Sequence, residues 1–129
     1  SYAGRSIGDM ARIAEEERRR ILGAAESLRA AGHVLPIISV GSSPTSLHAR
    51  DMAGITETRA GVYMFGDLFQ AEIGTHAMAD IAVTVLASVI GRRPDRNTLL
   101  LDAGALALSK DRSTQDAPRD FGFGLVLDL

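Results

Sequence analysis

Residues Val34-Leu-Pro-Ile-Ile-Ser-Val40 form a short, largely β-branched apolar run that stops abruptly at Gly41-Ser-Ser-Pro-Thr45. Such a run bounded by turn residues predicts a fully buried strand. In open α/β sheets and α/β barrels, ligands sit at the carboxyl ends of the strands, which is where Gly41, Ser42, Ser43 and Thr45 fall. Glycine admits close backbone approach, and hydroxyls with free N–H groups are the donors a phosphate monoester needs. Two readings stand side by side: a phosphate-cradling loop, or a turn with ordinary hydroxyls. The spacing matches no phosphate-loop pattern that is specific by itself.

The flanking segments extend this pattern. Met10, Ile13, Ala14, Ile21, Ala25 and Leu28 recur at helical spacing, which predicts a helix over Asp9–Ala31 with Glu17 as the one charged residue in its apolar stripe. Ser6 or Asp9 supplies the N-cap and Gly32 the C-terminal glycine. Glu15 with Arg19 and Glu16 with Arg20 are spaced as i,i+4 pairs. The Glu-Glu-Glu-Arg-Arg-Arg run at 15–20 reads as a solvated helix face. A short helix is expected over Ser46–Met52. The next strand and its exit are expected over Ile55–Thr58 and Gly61–Phe65, followed by a turn at Gly66-Asp67 and a helix over Leu68–Ile73.

After Asp80 the texture changes. Ile81–Ile90 is rich in β-branched residues and reads as a strand, and Thr98–Asp102 as a second. The polar loop between them predicts an antiparallel hairpin, unlike the alternating units before it. A domain boundary is expected near residues 74–80, dividing the chain into 1–78 and 79–129. Lys110–Asp120 reads as a polar loop, and Phe121 and Phe123 as the start of a last strand.

Composition excludes several classes of function. The 129 residues are 46% hydrophobic and 23% charged with a net charge of −2, which is a globular balance with no electrostatic case for nucleic acid or an anionic membrane surface. The absence of cysteine removes disulfides and thiolate metal ligands from this segment and fits a reducing, cytoplasmic setting. No apolar run reaches membrane-span length, and the N-terminal residues lack a signal-peptide pattern. Ser1 and Leu129 look like abrupt ends, which points to a fragment.

Few side chains announce chemistry. His33, His48 and His76 are not spaced as a local metal site, and His33 reads as a favourable charge at a helix C-terminus. Lys110, the only lysine, invites a Schiff-base reading but lies in a charged loop. Asp102 ends a strand and reads as a turn residue. Arg59 and Tyr63 flank Ala60-Gly-Val62, an arrangement that suits an anionic cofactor.

Together Val40-Gly-Ser-Ser-Pro-Thr45, Thr56-Glu-Thr-Arg-Ala-Gly-Val-Tyr-Met-Phe-Gly-Asp67, Asp80-Ile-Ala-Val-Thr-Val-Leu-Ala87 and Leu101-Asp-Ala-Gly-Ala-Leu-Ala-Leu-Ser109 resemble the D-threonine aldolase and D-serine dehydratase family. These are pyridoxal-phosphate lyases of the alanine-racemase fold type. The resemblance extends over nearly the whole chain. It implies an α/β fold: the later part of a TIM-type (β/α) barrel followed by the start of a β-rich C-terminal domain.

The same resemblance implies that Gly41, Ser42, Ser43 and Thr45 hold the phosphate of pyridoxal 5'-phosphate, joined by the N–H groups of Gly61 and Val62. Arg59 aligns with a motif arginine, Tyr63 follows it, and Tyr2 falls in a stretch near the pyridine ring. The Schiff-base lysine is expected upstream of Ser1, and the ligands of a divalent metal (Mn, Mg or Zn) downstream of Leu129, so the 129 residues alone are expected to be inactive. The implied activity is metal-activated cleavage of a D-β-hydroxy amino acid to glycine and an aldehyde, as in D-threonine aldolase. The alternatives are D-serine dehydratase-like elimination to an oxo acid and ammonia, or a non-catalytic pyridoxal-phosphate-binding protein. A homodimer in the cytoplasm is expected.

Overall fold

A computed structural model describes residue 4 and residues 6–127. Helix α1 spans Ile7–Ala30, and the Ser6 hydroxyl caps it by accepting from the Asp9 N–H. At its other end the His33 N–H donates to the Leu28 carbonyl and the Gly32 N–H to that of Arg29, with Gly32 at φ +92°. This double closure requires a left-handed residue, the reason glycine stands at position 32. The apolar stripe buries Met10, Ala11, Ala14 and Ala25, whereas Leu28 remains 45% exposed.

Strand β1 is Ser39–Val40 and strand β2 is Glu57–Thr58; they pair in parallel, Ser39 opposite Glu57 and Val40 opposite Thr58. Between them helix α2 covers Ser43–His48. The expected strand over Val34–Val40 is therefore cut to its last two residues. β2 is its only ladder partner among the described residues, and Val34 and Ile37 are exposed. A strand exists by pairing, so apolar composition without a neighbour leaves irregular chain. Likewise α2 begins three residues before the expected Ser46, because Ser42 caps it and Pro44 fits its first turn. The expected exit over Gly61–Phe65 is a single 3₁₀ turn at Val62–Met64, and helix α3 follows at Leu68–Glu72, capped by Asp67.

Strands β3 (Val89–Arg93) and β4 (Thr98–Leu101) form the expected antiparallel hairpin, turned at Pro94–Asn97. Only the end of the predicted Ile81–Ile90 strand is laddered. Asp102 clasps the base of the hairpin by accepting from the Ser88 N–H at 2.8 Å. Phe121 and Phe123 lie around a turn with Gly122 at φ +62°, where a strand was expected. The parallel pair thus precedes residue 78 and the antiparallel pair follows it. The Ala82 N–H bond to the Phe65 carbonyl and the Arg119 N–H bond to Glu72 connect the two parts.

Two charge clusters pin the loops. Arg18 takes Glu15 as its partner at i+3, in place of the expected Glu15–Arg19 pair. It is held there by the Ala53 carbonyl at 3.0 Å and the Asp51 carboxylate at 3.0 Å. The Arg18 hydrogen bond keeps the Glu15 carboxyl below its usual range. In the last loop, Asp120 accepts from the Gly122 N–H at 2.8 Å and pairs with Arg112, while buried Thr114 accepts from the Phe121 N–H.

The Gly122 N–H and then Arg112 hold the Asp120 carboxyl below its ordinary value. A carboxyl depressed in the folded state stabilises it above the unfolded pKa, about 3.9, and that contribution disappears as pH falls through the depressed value. Residues 112–122 are therefore expected to loosen only in strong acid. The Gly122 and Phe121 amide resonances followed against pH check this. Asp120→Asn should flatten the titration, and an unchanged profile in that variant would rule out the assignment.

Candidate functional site

Parallel pairing brings two chain segments side by side at the carboxyl ends of β1 and β2. The Arg59 N–H donates to the Val40 carbonyl at 2.8 Å, so Gly41 lies directly against Arg59. A Cβ on Gly41 would stand 2.5 Å from the Arg59 carbonyl oxygen and 3.1 Å from its Cβ. Only glycine permits this approach.

Beside the two tips lies an open cleft of about 320 Å³, lined by Ser46, Leu47, Thr58, Arg59, Ala60 and Tyr63. Arg59, just past β2, is oriented by both strands: its Nε donates to the Ser39 hydroxyl of β1 at 2.7 Å and lies 3.4 Å from Glu57 of β2. Ser39 in turn donates to Glu57 at 2.6 Å. Tyr63 is half-exposed, and its carbonyl accepts from His76 Nε2 at 3.0 Å. The first N–H groups of a helical turn have no partner within it, which places those of Gly61 and Val62 among the open donors next to Ala60. Gly61 has φ −78°, and a Cβ there would meet nothing within 4 Å.

The hydroxyls of the first tip divide into two sets. Thr45 is 2% exposed and donates to Glu17 of α1 at 2.9 Å, and Ser42 Oγ lies 3.0 Å from Thr45 Oγ1. These two hydroxyls are engaged within the fold. Ser43 Oγ and Ser46 Oγ are buried without any hydrogen-bond partner. A buried hydroxyl with no partner costs about 1–3 kcal/mol and calls for an explanation. Ser46 also lines the cleft, and an anion there would satisfy its hydroxyl, which is how the site fits a phosphoryl group.

Of the residues singled out from the sequence, the structure brings together Gly41, Ser42, Ser43 and Thr45 with Arg59, Gly61, Val62 and Tyr63. Tyr2 lies outside the described residues. Ser46, Ser39 and Glu17 were not recognised as part of the site. Ser46 follows Ser43 by one helical turn, and Glu17, read as the lone charge in an apolar stripe and as part of a solvated 15–20 run, is instead half-buried against Thr45. Among the described residues no group of three or more His, Asp or Glu is placed to hold a metal, and no helix is long and apolar enough to cross a membrane. Lys110 is exposed in the loop after β4.

Comparison with known proteins bears on this geometry. Residues 82–128 match the family model described as "Putative serine dehydratase domain". The chain is 50% identical over 117 residues to the D-threo-3-hydroxyaspartate dehydratase of Delftia sp. strain HT23, covering 91% of this chain and 31% of that protein. It is 36% identical over 115 residues to the D-serine dehydratase of Dictyostelium discoideum, covering 86% and 29%. Among solved structures, the Delftia enzyme superposes with a TM-score of 0.87 at 46% identity, over 94% of this chain and 32% of that one. An alanine racemase-like protein from Idiomarina loihiensis gives 0.86 at 39% identity, with the same coverage. The chain therefore spans about a third of the length of these relatives, and its mixed helix and strand arrangement is that of alanine-racemase-like proteins.

Proposed function

We propose, starting from a chain that belongs to the D-serine dehydratase family of alanine-racemase-like proteins, that its two strand tips form the phosphate-holding end of a pyridoxal 5'-phosphate site. The whole protein would be a dehydratase acting on D-β-hydroxy amino acids. The observation that carries this reading is the meeting of Gly41 and Arg59 beside two buried, unpartnered serine hydroxyls. Ser43 and Ser46 would donate to the phosphate together with the N–H groups of Gly61 and Val62. Arg59, held in place by Ser39 and Glu57, would add positive charge, and Tyr63 would form part of the wall.

Pyridoxal phosphate, when bound, supplies an electron-accepting ring for the charge released at the substrate Cα. The tasks of the present residues are to bind and orient it. Neither a Schiff-base lysine nor a metal ligand is assigned to them. The same reading includes a (β/α) barrel up to residue 78, a β-rich domain after it, and a homodimer. The parallel pair followed by an antiparallel hairpin supports the first two.

Elimination is preferred over retro-aldol cleavage because the named relatives are dehydratases. The intact protein supplied with pyridoxal phosphate and a divalent metal is expected to release ammonia and an oxo acid from D-serine or D-threo-3-hydroxyaspartate. Glycine and an aldehyde from D-threonine, without ammonia release, would move the assignment to the aldolase branch. Tight binding of pyridoxal phosphate with neither reaction would leave a non-catalytic carrier.

A further inference from the structure

Glu17 occupies the apolar face of α1, where a carboxylate is out of place unless it has a task. It is half-buried and accepts from Thr45 Oγ1 at 2.9 Å. A hydroxyl has one proton to donate and a carboxylate only accepts, so the Thr45 proton lies on Glu17. The 3.0 Å contact between Ser42 Oγ and Thr45 Oγ1 then needs the Ser42 proton. Ser42 Oγ also faces the Thr45 N–H at 3.4 Å as the cap of α2. Neither hydroxyl retains a proton for an anion at the strand tips. The carboxylate ending this chain carries the wrong charge to hold a phosphate itself.

We infer that Glu17 is a positioning residue, acting through Thr45 to set the Gly41–Ser46 turn, with the Ser42 and Thr45 hydroxyls directed toward α1 and away from the ligand. Anion contact from this turn falls to Ser43, Ser46 and the backbone. The inference rests on the phosphate reading above and assigns Ser42 and Thr45 a different task within it.

The test measures affinity of the intact protein for pyridoxal phosphate relative to pyridoxal, which lacks the phosphate. Glu17→Ala and Thr45→Val are each expected to cut that preference about tenfold, the effect of losing one charge-assisted hydrogen bond. If Thr45 works only through Glu17, the double variant falls no further than either single one. Glu17→Gln, whose amide oxygen still accepts, should retain most of the preference, and Ser42→Gly, which keeps a residue suited to the helix start, nearly all of it.

Additive losses in the double variant would place Thr45 on the ligand and overturn the inference. So would a preference that survives Glu17→Ala. Where Glu17→Ala does not fold, Ser42→Gly decides, since glycine still suits the start of α2: a retained preference supports the inward hydroxyl, and a tenfold loss refutes it. A parent protein with no preference for pyridoxal phosphate over pyridoxal overturns the phosphate cup itself. A parent with the preference whose variants behave otherwise overturns this inference alone.

Discussion

Gly41→Ala is expected to destabilise the protein by about 1–3 kcal/mol, the usual consequence of forcing a methyl group into filled space. The obstacle is the Arg59 carbonyl, 2.5 Å from the new Cβ, and backbone cannot swing aside as a long side chain does. Relief requires Arg59 to leave the Val40 carbonyl, which opens the β1–β2 ladder at the end where the site lies. Stability and ligand preference should therefore fall together. Gly61→Ala provides the contrast: φ there is −78° and the space is open, so the fold should tolerate it. Thermal unfolding of both variants checks the pair, at roughly 2–8 °C per kcal/mol depending on the size of the cooperative unit. A Gly41→Ala protein as stable as its parent would mean that the two tips do not touch as described.

Met10→Ala should be more damaging to the fold, by about 2–5 kcal/mol, as for other buried large-to-small changes. Met10 is fully buried, and its sulfur accepts from the Thr75 hydroxyl at 3.6 Å, tying the first helix to the segment after α3. Truncation leaves a cavity and removes the acceptor for Thr75. Leu28→Ala, in the same stripe but 45% exposed, should cost far less. Urea unfolding gives the comparison, with an unchanged slope showing that stability alone was altered. Equal costs at positions 10 and 28 would contradict the packing.

These contrasts mark what was readable in the residues. Helix α1, with its serine cap and terminal glycine, was legible because its determinants are local: 3.6-residue periodicity, a hydroxyl before the first turn, a left-handed residue after the last. The hairpin after residue 80 was legible for similar reasons. The lengths of its strands, and of β1 and β2, were not. Val34–Ile38 and Ile81–Ser88 have strand composition, but a ladder extends only as far as its neighbour does. Glu15 offers a comparable case, since Arg18 and Arg19 are both within its reach and only the position of Ala53 and Asp51 selects Arg18.

For the site, residue types and order identified Gly41–Thr45 and Arg59–Tyr63, because glycine, hydroxyls and arginine are the means by which a chain holds an anion. That the two stretches meet was decided by the parallel register of β1 and β2, a contact between residues eighteen apart in the chain. The direction of each hydroxyl was also a tertiary matter. Ser42 and Ser43 are adjacent and chemically identical, yet one is bound to Thr45 and the other is buried without a partner. Part of that difference arises from α1, which brings Glu17 against Thr45 and so draws the Ser42 hydroxyl into a hydrogen-bonded chain that Ser43 does not join.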